Sequence, residues 1–378
     1  MTTAAVPGAF ASSAEHAEFR DVVRAFLAAK SAGSAVRALM ETEDGFDPGV
    51  WRQMASQLGL QGILIPEEYG GQGLSAIELS IVMEEMGRVV FCAPFLSTAV
   101  LAVSALLAAG DRDTMARLLP GIAAGEAVAT LAYAEDAGLG VPGAAQLTAE
   151  PAPGGYLVSG TRRFVLDGAA ADIILVVAAT ADGPALIAVS GTASGLTRTP
   201  LPSMDQTRKL ADLELREVPG QLVGRPGAGR DALSAALDTA RVALAAEQVG
   251  GALAALENAV EYAKTRVQFG VPIGSFQAVK HRCADALVDV ESARSVAQHA
   301  AWVAVYDQAD LELTAAFAAA YCAETCTRVA TTNIQVHGGI GFTWEHSAHL
   351  YLKRAKGSEL LFGSPRSNRR RLADQLGL

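Results

Sequence analysis

The chain has 378 residues and a formal net charge of −10; it is 51% hydrophobic, 19% charged and 6% aromatic. That is long enough for two or three domains and apolar enough to bury a large core, which excludes a disordered chain. The acidic balance argues against general nucleic-acid binding, which shows as a basic surface.

The first 125 residues read as helical. MTTAAVPGAFASSAEHAEFRD has neither a basic leading region nor a long apolar core, so no signal peptide is expected. Phe19, Val22, Val23, Phe26 and Leu27 form a one-sided apolar pattern that predicts a helix over Glu15–Ala29. Asp47 and Pro48 are an N-cap and a first-position proline, opening a helix around Trp51–Leu58. Leu60–Gly73, LQGILIPEEYGGQG, reads as a Pro/Gly-rich loop. Ser75 caps a helix to about Val89, and two more helical runs reach Leu119. Ala93–Gly110 is apolar but carries Pro94 and several Ser/Thr, so it predicts a buried helix and no membrane span.

Composition changes near Gly125. Short apolar runs broken by Gly, Pro, Asp and Thr predict strands at Tyr156–Ser159, Asp172–Ala179, Ala185–Ser190 and Ala211–Leu215, with Gly220–Gly229 as a glycine-rich exit. Residues 230–378 are helical again. Leu233, Leu237, Ala240, Leu244, Glu247 and Gly251 fall on one helical face. Further helices are expected over Gln277–Asp307, Leu311–His337 and Ser347–Leu361. The order predicts an α+β fold: an N-terminal helical bundle (1–125), a middle β-barrel or sandwich (126–222) and a C-terminal four-helix bundle (223–378).

The stretch YAKTRVQFGVPIGSFQ, Tyr262–Gln277, turns one long helix into the next. Pro272 cannot continue a helix, and Gly270 and Gly274 permit tight turns. Arg266 on such a corner suits a phosphate-bearing ligand, because a guanidinium fork matches phosphate and helix N-termini attract anions. Spacing alone equally allows a helix hairpin with a solvated arginine. Of the four cysteines only Cys322 and Cys326 are close, without a nearby histidine pair, so no metal site is expected and reduced core thiols fit a cytoplasmic chain. His281, His299, His346 and His349 read as surface or core residues. Lys353, Arg354, Lys356, Arg366, Arg369, Arg370 and Arg371 form a basic C-terminal patch, either solvated or facing a partner subunit or coenzyme A phosphates.

Three motifs in this α–β–α order resemble the acyl-CoA dehydrogenase family over essentially the whole chain. They are LQGILIPEEYGGQG, the Tyr262–Gln277 corner, and Gln335-Val336-His337-Gly338-Gly339-Ile340-Gly341. The resemblance implies FAD as cofactor, an acyl-CoA thioester as substrate, α,β-dehydrogenation to a 2-enoyl-CoA, and an electron-transfer acceptor. It also implies that each FAD lies between two subunits. One would supply Arg266, Gln268, Phe269, Phe276, Gln277, Gln335, Gly338 and Gly339 for the pyrophosphate and adenosine. The other would supply the flavin cup and a catalytic glutamate.

The flavin cup departs from the family. The loop usually reading Tyr-x-x-Thr-Glu-Pro-x-Ala-Gly-Ser is Ala132-Tyr133-Ala134-Glu135-Asp136-Ala137-Gly138, and Trp-Ile-Thr is Phe164-Val165-Leu166. The two family positions for the base hold Phe362 and Ala240, neither of which can accept a proton. Glu247 and Glu359 remain as substitute carboxylates. A chain that keeps the clamp and loses the cup and base is expected to be the non-catalytic subunit of a heteromeric α2β2 enzyme beside a homologous catalytic subunit. The alternatives are a homo-oligomeric FAD enzyme with a non-standard base or altered chemistry, and a flavin-free acyl-CoA-binding scaffold.

Overall fold

The computed structural model describes residues 13–133 and 147–378. Six helices come first: α1 (Ala14–Lys30), α2 (Gly33–Met40), α3 (Pro48–Leu58), α4 (Ala76–Arg88), α5 (Val103–Ala109) and α6 (Arg112–Ala123). The starts follow side-chain capping. Asp47 accepts from the Gly49 and Val50 amides at 2.7 and 3.1 Å. Ser75 accepts from the Ile77 amide while Glu78 reaches back to the Ser75 amide at 2.9 Å, a closed capping box. The apolar run before α5 is wholly buried and opens with a π-helical stretch, Leu96–Ala102. The loop expected over Leu60–Gly73 is folded tightly on itself, with Leu60, Ile63 and Ile65 in the main core. A side chain on Gly71 would stand 2.0 Å from the Ile65 carbonyl oxygen.

Seven strands follow: β1 (Ala129–Ala132), β2 (Thr148–Ala152), β3 (Gly155–Leu166), β4 (Ile173–Thr180), β5 (Gly183–Ser190), β6 (Leu196–Leu201) and β7 (Leu210–Val223). β4 pairs with β5, β5 with β7, β7 with β3, β3 with β2 and β2 with β4, so the sheet closes on itself as a barrel. β1 lies parallel to β4, and β6 extends the β7 edge. The sequence reading lacked β1, β2 and β6. β1 is buried at every position and shows no alternation, while Pro151 and Pro200 mask the other two. The expected exit at Gly220 is still strand: Gly220 to Val223 pair with Val189 to Leu186. Glycine is required there because a Cβ would lie 2.6 Å from the Ile187 side chain.

The C-terminal part is helical: α7 (Gly229–Thr265), a two-residue-stranded hairpin β8 (Val267–Gln268) and β9 (Val271–Pro272), α8 (Gln277–Tyr306), α9 (Leu311–His337), α10 (Ala348–Ser358) and α11 (Pro365–Leu376). α7, α8 and α9 pack together, with α10 and α11 laid against α9. The apolar face expected on α7 is exceeded. Every residue from Ala240 to Gly250 is buried, because α4, α5, α8, α9 and α10 enclose that stretch. α4 crosses α7 at backbone contact: a Cβ on Gly250 would sit 1.8 Å from the Glu84 carbonyl oxygen, and one on Gly87 2.0 Å from that of Glu247. No helix among the described residues is long and apolar enough to cross a membrane.

Candidate cofactor and catalytic site

α7 ends at Arg266, whose backbone is already extended, and the β8–β9 hairpin follows with Gln268 paired to Val271. Phe269 and Gly270, the two turn residues, have φ of +53° and +79°, the left-handed pair that a tight two-residue hairpin needs. A phenylalanine there is strained by about 1 kcal/mol. Its ring is 93% exposed and meets Phe276 edge to face at 6.2 Å. Arg266, Gln268 and Gln277 all face solvent. Arg266 forms no ion pair with a described residue, and Gln268 Nε2 donates to the Val267 carbonyl at 2.9 Å.

The second motif is the end of α9. Gln335 is exposed, and Gly338 turns the chain with φ +66° and ψ −143°. A Cβ on Gly338 or Gly339 would meet nothing within 4 Å, so the backbone is open to close approach. The two motifs lie against each other: Ala259 and Ala263 of α7 share a buried cluster with Val336 of α9, and Tyr262 and Ile273 pack onto it. The Tyr262 and His337 rings stack with centroids 4.2 Å apart. Solvent-facing donors, a free guanidinium and an open glycine turn on one end of the bundle fit a pyrophosphate-bearing cofactor such as FAD.

The flavin-cup positions lie on the barrel. Ala134 to Gly138, the loop motif, fall outside the described residues. Leu166 is buried, and its carbonyl accepts the Thr130 hydroxyl at 2.6 Å. Its side chain offers no polar atom. The next residue, Asp167, is buried and accepts from Ser97 Oγ at 2.6 Å; burial pushes its carboxyl up to about 6.

The two positions expected for a base are both buried. Arg241, adjacent to Ala240 on α7, donates from Nε to the Phe362 carbonyl at 3.0 Å and is paired to Asp238 at 2.7 Å. Ala240 and the Phe362 ring are each 0% exposed and belong to the same core cluster, with Ala236 and Ala243. Phe362 has φ +57° and Gly363 φ +100°, a left-handed bend that turns the ring inward. An apolar ring therefore occupies this place.

Neither substitute carboxylate is free. Glu247 receives both oxygens' bonds from Arg208 Nη2, at 2.8 and 2.7 Å, and lies 3.7 Å from Arg354 Nη1. Arg208 also donates to Ser358, and Arg354 to the Phe91 carbonyl, so this buried group ties the barrel to the helices on both sides. Glu359 accepts from Thr327 and Lys356 at 2.9 and 2.8 Å. The sequence reading missed Arg208 as the partner of Glu247. It stands in a polar loop ahead of β7, and nothing local marks it as buried. In the basic patch, Arg369 and Arg371 pair with Glu324 and Glu312 of α9, whereas Arg354 is interior.

These features sit in a helical–barrel–helical chain whose two helical parts match known domains. The acyl-CoA dehydrogenase N-terminal domain matches residues 13–126, and the C-terminal domain of the same enzymes matches residues 227–377. The chain belongs to the acyl-CoA dehydrogenase family, FAD-dependent oxidoreductases that act on CH–CH bonds. It is 38% identical to acyl-CoA dehydrogenase IpdE2 of Mycobacterium tuberculosis, over 96% of this chain and 97% of that one. Among solved structures it is similar to the ChsE4–ChsE5 complex from Mycobacterium tuberculosis, at 30% identity and TM-score 0.88 over 97% and 98% of the two chains. The Tcur3481–Tcur3483 steroid ACAD is similar at 32% identity and TM-score 0.86, over 96% and 98%.

Proposed function

We propose that this chain is the non-catalytic subunit of a heteromeric, cytoplasmic acyl-CoA dehydrogenase of α2β2 type, acting beside a homologous catalytic chain on a bulky acyl-CoA thioester. The observation that carries the reading is that Phe362 and Ala240, which stand where the resemblance puts the family's glutamate, are both wholly buried apolar residues, the Phe362 carbonyl accepting from Arg241. No group there can remove the α-proton of a thioester. Glu247 is buried and held by two arginines. The loss of a polar side chain at Leu166 removes one hydrogen bond to a flavin in this chain's own barrel.

The clamp on the opposite end is intact in this reading. Arg266 neutralises the cofactor pyrophosphate, Gln268 and Gln277 offer amide hydrogen bonds, and Gln335 with the open Gly338–Gly339 backbone receives the adenosine side. Phe269 and Phe276 pack the corner. FAD, when bound, accepts the hydride; the base and the cup around the reacting ring come from the partner chain. The similarity to a steroid ACAD and to a two-chain complex supports both the heteromer and the bulky acyl group.

The test is to purify the chain alone and together with a homologous acyl-CoA dehydrogenase encoded beside it, recording visible spectrum, native mass and dehydrogenation. The expected result is colourless, inactive protein alone and a yellow, active assembly with the partner. Stoichiometric FAD and turnover from the lone chain would sink the reading and favour a homomeric enzyme. In the assembly, Arg266→Ala should lower FAD content; an undiminished flavin load would remove Arg266 from the clamp.

A further inference from the structure

The clamp has two halves on different helices, and any cofactor that bridges them needs their separation fixed. The β8–β9 hairpin hangs from the end of α7; the glycine turn hangs from the end of α9. Gly338 and Gly339 have no neighbour that a Cβ could touch, so they do not themselves hold the turn in place.

One side chain spans the gap from beneath. His337, immediately before the glycines, is 5% exposed. One face of its ring stacks on Tyr262, one turn before Arg266, with centroids 4.2 Å apart and planes 27° apart. The His346 ring lies 4.2 Å away at 46°. Its Nδ1 lies 2.9 Å from the Asn333 carbonyl; a carbonyl only accepts, so Nδ1 carries the proton and Nε2 is bare in the neutral ring. The backbone past the turn closes over it, because a Cβ on Gly341 would stand 2.8 Å from His337 Cβ. His346 is fixed in turn: its carbonyl accepts from Arg37 Nη2 at 3.0 Å and its Nδ1 from the Ala348 amide at 3.1 Å.

We infer that His337 is a positioning residue for the cofactor: held between Tyr262 and His346, its neutral ring sets the Gln335–Gly339 turn against the Arg266–Gln268 hairpin. The inference rests on the clamp reading above and adds the part that makes the clamp one rigid site. It also gives the site a pH limit. The groups against the ring are Tyr262 of α7, Asn333 of α9 and His346 ahead of α10; His346 in turn faces Arg37 of α2 and His349 of α10, and His349 faces Lys353. None is a carboxylate, and neither stacked imidazole has an acidic partner among the described residues. Burial holds both imidazoles below the usual histidine range, and His346 is lowered further by His337 and Arg37. A depressed histidine favours folding above its unfolded value of about 6.5, and that contribution is lost as the pH falls through the lower folded value. FAD retention should weaken over the same window.

The experiment measures FAD dissociation from the purified assembly for the wild type, His337→Ala, His337→Phe, His337→Leu and Arg266→Ala, at pH 8 and pH 5.5, with melting temperature as a folding control. Phenylalanine keeps the stack on Tyr262 and the tilted contact with His346 without a titratable nitrogen; leucine fills space without stacking. The expected result is about tenfold weaker binding for alanine and an intermediate loss for leucine, with phenylalanine near wild type and a flatter pH dependence. Should His337→Ala not assemble, the leucine–phenylalanine pair carries the comparison. Wild-type affinity in both the alanine and leucine variants, or equal losses in the leucine and phenylalanine variants, overturns the role of the stack. If Arg266→Ala alone weakens FAD, only this inference falls. If neither Arg266→Ala nor His337→Ala does, the clamp reading falls with it.

Discussion

Replacing Phe362 by alanine separates a core plug from a catalytic position. The ring is 0% exposed and is the largest fully buried side chain among the described residues. Truncating a core phenylalanine to alanine costs about 3–5 kcal/mol, combining lost transfer energy with the cavity left behind. Alanine keeps a Cβ, so the strain of about 1 kcal/mol at φ +57° persists, whereas Phe362→Gly relieves it and should be no worse than alanine by much. The Arg241 bond survives both changes because it is made to the backbone carbonyl. At about 2.1 cal/mol/K per residue, a chain of 378 residues unfolding as one unit has an entropy near 0.8 kcal/mol/K. A loss of about 4 kcal/mol therefore lowers the melting temperature by about 5 °C. The assay pairs thermal unfolding with turnover of the assembly under identical FAD loading. Turnover should stay within about twofold of wild type while the melting temperature drops. A folded, flavin-loaded assembly slowed a hundredfold or more would refute the reasoning, since the position would then touch the reacting centre. An unchanged melting temperature would equally contradict the plug.

Glu247→Gln should destabilise by about 3 kcal/mol, because buried Arg208 would lose its paired carboxylate and Arg354 would keep only Asp205, 3.8 Å away, yet leave turnover of the surviving assembly unchanged. A loss of several orders of magnitude in turnover without unfolding would instead make Glu247 the base. Asp167 predicts a pH effect of opposite sign to that of His337. Burial raises its folded value to about 6 against about 3.9 unfolded, so its contribution is complete below pH 4 and is lost as the pH rises past 6, on the order of 2–3 kcal/mol. Asp167→Asn removes that loss while keeping an acceptor for Ser97. Denaturant titrations should show the variant gaining on wild type from pH 4 to pH 7.5, and a pH-independent gap would count against a protonated native carboxyl.

Much of the helical architecture is local and was legible. Ser75 with Glu78, and Asp47 with Pro48, fix helix starts within a few residues, and those starts stand where the sequence puts them. The helix over Leu311–His337 agrees at both ends, because Gly338 supplies a left-handed stop that other residues resist. The corner at Arg266–Gln277 was legible because Pro272 and Gly270 leave the chain few alternatives. β1, β2 and β6 were not: β1 is buried throughout, shows no alternation and pairs with β4 about forty residues on, while Pro151 and Pro200 hide the strand character of β2 and β6, although each pairs with the strand that follows it. α2 and α11 were missed although local signals exist: Val36 and Met40 mark one buried face of α2, and Ser364, Pro365 and Gly377 cap and start α11 as Asp47 and Pro48 do α3.

The sequence alone determined that residues 240 and 362 are alanine and phenylalanine, hydrocarbon side chains that accept no proton whatever the fold does with them. Only the tertiary structure decided that both are wholly buried, that Arg241 donates to the Phe362 carbonyl, and that Glu247 is spent on Arg208 and Arg354. Such facts depend on side chains from separate helices and the barrel meeting in space. Their energies come from burial, close packing and charge pairing across those contacts, which no window of sequence contains.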